Sequence, residues 1–187
     1  AHARGIPFDQ LIASIPDLQP VPGRFQPVDA GQPFTVIVDY AHTDDALRNL
    51  TALARQMTAQ SGRRVITLFG CGGDRDRTKR PKMGQAAGEG SSFVIATSDN
   101  PRTEDPLAIL AEIEPALKAT GTPYTIEPDR TAAIHLALEA AAPGDVVLIA
   151  GKGHEKEQIL NGHTIPLDDT EVALAALHQL MQTGKQQ

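Results

Sequence analysis

Short apolar runs and longer helical stretches alternate along this chain from Phe34 onward. "FTVIVDY", "RVITLFG", "FVIATSD", "YTIE" and "DVVLIAG" are rich in β-branched residues, and most are apolar at successive positions. Both faces of such strands must be covered, and helices are the usual cover. The intervening stretches predict helices over 44–60, 82–88, 106–119 and 130–142. Asp105 before Pro106 offers an N-cap followed by proline at the first helical position, and Asp129 can cap the next helix. Asn161-Gly162 inside "QILNGHTIPL" predicts a tight hairpin, followed by a last helix over 170–182. The alternation predicts an open α/β fold: a doubly wound, mostly parallel sheet with a C-terminal hairpin and helix. Residues 1–33 differ in texture. Six prolines (Pro7, Pro16, Pro20, Pro22, Pro27 and Pro33) leave room for one short helix near 8–14. Residues 1–33 therefore read as the tail of a preceding domain plus a linker, and 34–187 as the domain itself.

Composition narrows the function classes. Hydrophobic residues make up 41% and charged residues 21% of 187, as in an ordinary soluble domain. Aromatics at 4%, no tryptophan and a net charge of −6 argue against a nucleic-acid partner, which needs basic and stacking surfaces. The single cysteine, Cys71, cannot form an internal disulfide and suits a reducing compartment. No apolar run approaches the roughly 20 residues of a membrane span, so no membrane partner is expected. "AHARGIP" has neither a signal-peptide pattern nor an initiator methionine. A cytoplasmic protein is expected, and the chain reads as a piece of a longer one.

The polar clusters follow the apolar runs. Asp39, Tyr40 and His42 end the first strand. Gly70, Gly72, Gly73, Asp74, Arg75, Asp76, Arg77, Lys79 and Arg80 follow the second. Asp99, Asn100 and Arg102 follow the third, and Gly151, Lys152, Gly153, His154 and Glu155 the fifth. Ligands of open α/β sheets bind beyond the carboxyl ends of the strands, so one rim would gather these groups into a single charged pocket. The glycine loop meets neither G-x-x-x-x-G-K-[ST] nor G-x-G-x-x-G, because Arg75 stands at the last glycine position. Cys71, His42, His154 and His163 lack zinc spacing, so no metal site is expected.

Arginine's planar fork matches a carboxylate, and acidic side chains take an ammonium. Arg75, Asp99, Asn100, Arg102 and Glu155 are thus suited to an amino acid. Their charge exceeds what one α-amino-acid end requires, and a ligand with two zwitterionic ends would use it best.

"PGRFQ", "DYAHTDDAL", "FGCGGDRDRTKRPKMG", "SDNPRTEDP" and "AGKGHEKEQ", in this order, resemble the MurE-type Mur ligases. The resemblance runs from roughly Gly5 to the last helix. It implies a Rossmann-like C-terminal domain, preceded by the end of a central ATPase domain. The implied activity is an ATP-dependent ligation in peptidoglycan precursor synthesis. The D-Glu carboxylate of UDP-N-acetylmuramoyl-L-alanyl-D-glutamate is phosphorylated, and the amine of the third amino acid attacks the acyl phosphate.

"SDNPR" is that family's signature for meso-diaminopimelate. The resemblance implies that Arg102 grips the distal carboxylate while Asp99 and Asn100 hold the neighbouring amino group. Arg75, Gly151 and Glu155 match further positions on the same ligand. Arg24 matches an arginine near the ATP phosphates, Asp39 a residue that meets the ribose, and His42 lies in the same motif. Two positions depart from the pattern: Asp44 stands where proline is usual, and Thr170 where arginine is common. The P-loop, the Mg²⁺ ligands, the carbamylated lysine and the UDP-sugar domain have no counterpart in these 187 residues. ATP and Mg²⁺ would be bound mainly by the central domain, and the UDP-dipeptide by the other domains. The protein is expected to be a monomer, and this chain alone inactive. A non-catalytic amino-acid-binding or regulatory module is the alternative.

Overall fold

A computed structural model describes residues 5–14, 21–59 and 62–184. The elements are α1 (Phe8–Ser14), β1 (Gln26–Pro27), β2 (Thr35–Asp39), α2 (Asp44–Thr58), β3 (Val65–Cys71), α3 (Lys79–Gly90) and β4 (Phe93–Ser98). There follow α4 (Pro106–Ala119), β5 (Tyr124–Ile126), α5 (Arg130–Glu139), β6 (Val146–Ala150), β7 (Glu157–Leu160), β8 (His163–Pro166) and α6 (Asp169–Gly184). Six strands form one sheet in the order β1-β2-β6-β3-β4-β5, and β7 and β8 form a separate hairpin. All neighbours in the large sheet are parallel except β1, which runs antiparallel to β2.

Every residue of β3 and β6 is buried, as strands covered on both faces must be. Side chains alternate between two cores. Phe69, Val146 and Leu148 face α2, α3 and α4, packing with Leu47, Met83, Ile113 and Leu117. Ile66, Leu68, Val147 and Ile149 face α5 and α6, packing with Ile134, Leu138, Ala173 and Leu177. Removing a fully buried aromatic such as Phe69 would cost about 3–5 kcal/mol. The doubly wound, mostly parallel α/β sheet predicted from the pattern is the one observed.

The caps are as expected. Asp105 accepts from the Leu107 amide ahead of Pro106, and Asp129 from the Ala132 amide. The hairpin turn places Asn161 at φ 51° and Gly162 at φ 74°, the two positive values of a type I′ turn. Helix bounds differ in places. The helix predicted over 82–88 begins at Lys79, because Pro81 falls in its first turn, where a missing N–H costs nothing. The helix predicted over 130–142 ends at Glu139, since Pro143 disfavours helical backbone before it. Helix α2 ends at Thr58 and the predicted end at 60 lies outside the described residues; α6 spans Asp169–Gly184 against the predicted 170–182. Strand β1 was hidden by its proline. Pro27 sits on the sheet edge, where no N–H is needed, and Val28 beside it is buried in the core.

Candidate functional site

The carboxyl ends of β2, β3, β4 and β6 border one cavity of about 410 Å³. All six residues matched to the amino acid line it: Arg75, Asp99, Asn100, Arg102, Gly151 and Glu155. Parallel strands in register deliver this convergence, because each ends at nearly the same height and hands its next residues to the same rim.

The basic side is built from two interlocked loops. Gly73 donates its amide to the Asn100 carbonyl at 2.9 Å. Arg102, at φ 56°, donates its amide to the Ile159 carbonyl at 2.8 Å and Nη1 to the Gly73 carbonyl at 2.7 Å. Asp74 accepts from the Thr103 amide and hydroxyl. Arg75 is exposed, and Gly72 lies between the arginines: a Cβ there would stand 2.9 Å from Arg102 Nη1 and 3.6 Å from Arg75 Cγ. Beneath them Arg80 is buried, with Nη1 and Nη2 donating to Glu104 and Glu112, while its Nε takes no partner. Arg80 and the Asp74 amide together hold Glu104 well below the usual carboxylate range, at about 2.

The acidic side belongs to Asp99 and Glu155. Asp99 Oδ1 is shut off from solvent and takes no hydrogen bond. Burial pushes its carboxyl up, against the pull of Arg130 and Lys152. Asn100 is a clip: Oδ1 accepts from the Ile159 amide at 3.0 Å and from Lys152 Nζ at 3.3 Å, and Nδ2 donates to Glu155 Oε2 at 2.8 Å. Both lone pairs of its carbonyl oxygen are therefore occupied. A Cβ on Gly151, at φ 118°, would stand 3.8 Å from Asp99 Oδ2. Between the two sides, Cys71 and Met83 place their sulfurs 3.5 Å apart on the cavity wall. Burial, with Asp99 nearby, pushes the Cys71 thiol up to about 12, so it stays a neutral, apolar surface.

Under the floor lies a buried pair that local sequence patterns did not single out. Arg130 and Asp169 are both fully buried and joined by two hydrogen bonds of 2.8 and 2.7 Å. Arg130 also donates to the carbonyls of Ser98 and Ala150, the residues just before Asp99 and Gly151. Its guanidinium thus ties α6 to two of the strand ends that form the site.

The three residues matched to nucleotide gather on the β2 side. His42 lines the cavity, whereas Arg24 and Asp39 do not. Asp39 accepts from the amides of Phe25 at 2.7 Å and Ala41 at 2.8 Å. The Arg24 guanidinium lies 4.8 Å from the Tyr40 ring centroid, and Tyr40 packs against His42 and His154 at 4.5 and 5.1 Å. Gly23 and Gly153 interlock here: a Cβ on Gly23 would stand 2.0 Å from the His154 amide nitrogen. The exposed Arg24 side chain makes no hydrogen bond among the described residues, which leaves its fork open to a phosphate. No group of three or more His, Cys, Asp or Glu side chains among the described residues could hold a metal ion.

A cavity that presents the guanidinium groups of Arg75 and Arg102 together with the carboxylates of Asp99 and Glu155 can hold carboxylate and ammonium groups at once. The model of the Mur ligase, glutamate ligase domain, matches residues 23–153. The chain is 55% identical over 173 residues to the UDP-N-acetylmuramoyl-L-alanyl-D-glutamate–2,6-diaminopimelate ligase of Solibacter usitatus, covering 92% of this chain and 34% of that protein. It is 52% identical over 171 residues to the protein of the same name from Alkaliphilus metalliredigens, covering 91% of this chain and 34% of that one. A solved structure of a ligase bearing that name superposes with a TM-score of 0.78 at 40% identity, covering 97% of this chain and 36% of the other. The UDP-N-acetylmuramate–alanine ligase of Thermotoga maritima shares the fold, with a TM-score of 0.69 at 16% identity, covering 97% and 35%. The chain spans about a third of the length of the relatives it matches. By the family match over most of its length, the chain belongs to the Mur ligase family, in which it corresponds to the glutamate ligase domain.

Proposed function

We propose that this chain is the C-terminal, amino-acid-binding part of an ATP-dependent carbon–nitrogen ligase. The ligase joins meso-diaminopimelate to UDP-N-acetylmuramoyl-L-alanyl-D-glutamate in peptidoglycan synthesis, acting as a monomer in the cytoplasm. One observation carries the reading: Arg75, Asp99, Arg102 and Glu155, from three separate strand ends, border a single cavity. The names borne by relatives about half identical to this chain support it.

A carboxylate resists attack by an amine until its oxygen becomes a good leaving group, and ATP supplies that activation by phosphorylating the D-Glu carboxylate. Mg²⁺ accompanies the nucleotide's phosphates in this reading. The described residues bind and orient the amine. Arg102 and Arg75 take the carboxylates of the diamino acid. Asp99, with its unpartnered Oδ1, and Glu155 take an ammonium. Asn100 acts chiefly by holding Glu155, since its own acceptor is filled. Holding both ends of the ligand fixes the attacking amine, and positioning of that kind lowers the barrier without any chemical step by the protein. L-Lysine has no distal carboxylate for Arg102. An unpaired buried charge costs about 2–5 kcal/mol, and the lower end suits the half-buried Arg102. Arg24, Asp39 and His42 serve the nucleotide: Arg24 at the phosphates, Asp39 at the ribose.

The test uses the full-length protein with ATP, the UDP-dipeptide and an amino acid. Phosphate release and a UDP-tripeptide are expected with meso-diaminopimelate and far less with L-lysine. Equal use of the two amino acids, or phosphate release that ignores the amino acid, would refute the reading.

A further inference from the structure

Lys152 is fully buried at the edge of the cavity, and the roles proposed above make no use of it. Its Nζ lies 3.3 Å from Asn100 Oδ1 and 3.3 Å from Glu155 Oε2, and it donates to the Glu157 carbonyl. An ammonium has three protons, so these three acceptors use all of them and none is left for a ligand. Asp99 Oδ1 lies 3.9 Å away, near enough for its charge to be felt but without a hydrogen bond. Glu155 receives both Asn100 Nδ2 and Lys152 on Oε2, which leaves Oε1 uncommitted among the described residues. Stability alone is a poor reason for this lysine, because replacing buried ion pairs with apolar groups is often neutral or better.

A charge count gives a better one. Arg130 and Asp169 cancel each other. With both carboxylates ionised, Asp99, Glu155 and Lys152 as a group carry one net negative charge, enough for one ammonium. Without Lys152, the Asp99 and Glu155 carboxylates, 3.9 and 3.3 Å from its Nζ, would lose the cation they share, and Asn100 would lose one of its two donors. We infer that Lys152 is a positioning residue that holds Asp99, Asn100 and Glu155 together and sets this half of the site to accept a single ammonium. The second amine of a diamino acid is thereby left outside the acidic cradle, where it need not be charged. This role rests on the proposal that the cavity binds a diamino acid.

The experiment measures KM for all three substrates in the full-length protein carrying Lys152→Met, which keeps the length of the side chain and removes its charge. Losing one charge-assisted contact network predicts a rise of about 10- to 100-fold in KM for meso-diaminopimelate. KM for ATP and for the UDP-dipeptide should not move, which a general loosening of the fold would not spare. An unchanged KM for the amino acid, or equal rises for all three substrates, would overturn the inference. If K152M does not fold, the double variant K152M/E155Q also removes the Glu155 charge that would lose its partner. Its KM for the amino acid should exceed that of E155Q alone, because Asn100 still loses a donor and Asp99 its nearby counter-charge; equal values would overturn the role. A wild-type protein that joins a different amino acid and ignores meso-diaminopimelate would instead refute the functional reading. The Lys152 comparison would then be made with the amino acid it does use.

Discussion

Arg102 donates from Nη1 to the Gly73 carbonyl at 2.7 Å, so one arm of its guanidinium is fastened to the loop after β3. Nε and Nη2 make no hydrogen bond among the described residues and form the free edge of the fork. A lysine at this position could keep a charge but not both the anchor and the bidentate edge. Arg102→Lys is therefore expected to raise KM for meso-diaminopimelate by about 10- to 100-fold and to narrow the preference over L-lysine. Arg102→Ala should abolish the preference. Steady-state kinetics of the full-length protein with both amino acids checks this, and an undiminished preference in the alanine variant would defeat the assignment.

Gly73 makes that anchor possible. A Cβ on it would stand 1.9 Å from the Pro101 carbonyl oxygen, and backbone cannot swing aside as a flexible side chain can. Gly73→Ala must part the 72–76 loop from the 100–104 segment and pull Arg102 off its anchor. The expected result is a loss of about 1–3 kcal/mol in stability, as for other overpacked sites. KM for the amino acid should rise even though Gly73 offers no side chain to a ligand. Urea unfolding and kinetics on one variant test both parts.

The strands, the caps and the hairpin were legible because each is a local signal, such as the apolar runs around Leu148 or Asn161-Gly162 at a turn. The site's outline was legible for the same reason, since Asp99 to Arg102 and Gly151 to Glu155 follow directly on apolar runs. What pattern reading could not see was which charges are buried. Arg130 finds Asp169 across 39 positions, and Lys152 finds Asn100 across 52. Nothing near Arg130 in the sequence distinguishes it from a solvated helix-start arginine. Asn100 shows the same limit: its position was evident, but that its oxygen is already filled depends on the hairpin docking at Ile159.

Glu104 links stability to pH. Arg80 and the Asp74 amide lower its pKa from 4.5 to about 2, so its ionised form stabilises the fold. That contribution is complete above 4.5 and fades as pH falls toward 2, when the folded state too is protonated. The melting temperature of wild type should fall more steeply through this window than that of Glu104→Gln. At neutral pH the variant should melt lower. Parallel curves would show that Glu104 is not the group responsible.

The Arg130–Asp169 pair separates stability from positioning. Asp169→Asn leaves a buried guanidinium without its counter-charge, at a cost of about 3–5 kcal/mol in urea unfolding. Replacing both by apolar residues, as in Arg130→Met with Asp169→Leu, should recover most of that loss. It cannot restore the hydrogen bonds to the Ser98 and Ala150 carbonyls. The double variant is therefore expected to be stable yet bind the amino acid weakly, with KM raised and the ATP requirement unchanged. A stable double variant with normal KM would confine Arg130 to a structural role.

Asp39 tests the nucleotide side, and its geometry makes the outcome two-part. Its carboxylate accepts from the Phe25 and Ala41 amides, so it pins the segment carrying Arg24 against the end of β2. Hydrogen bonds to a charged acceptor contribute about 1.5–3 kcal/mol, so Asp39→Ala should lower the melting temperature measurably. Each carboxylate oxygen keeps a lone pair for a further donor, which is what a ribose hydroxyl would use. Asp39→Ala should therefore also raise KM for ATP while leaving KM for the amino acid alone, since Asp39 does not line the cavity. A fall in melting temperature with no change for ATP would make Asp39 a clip and nothing more. An effect confined to the amino acid would mean that the division of the rim into two ligand sets is wrong.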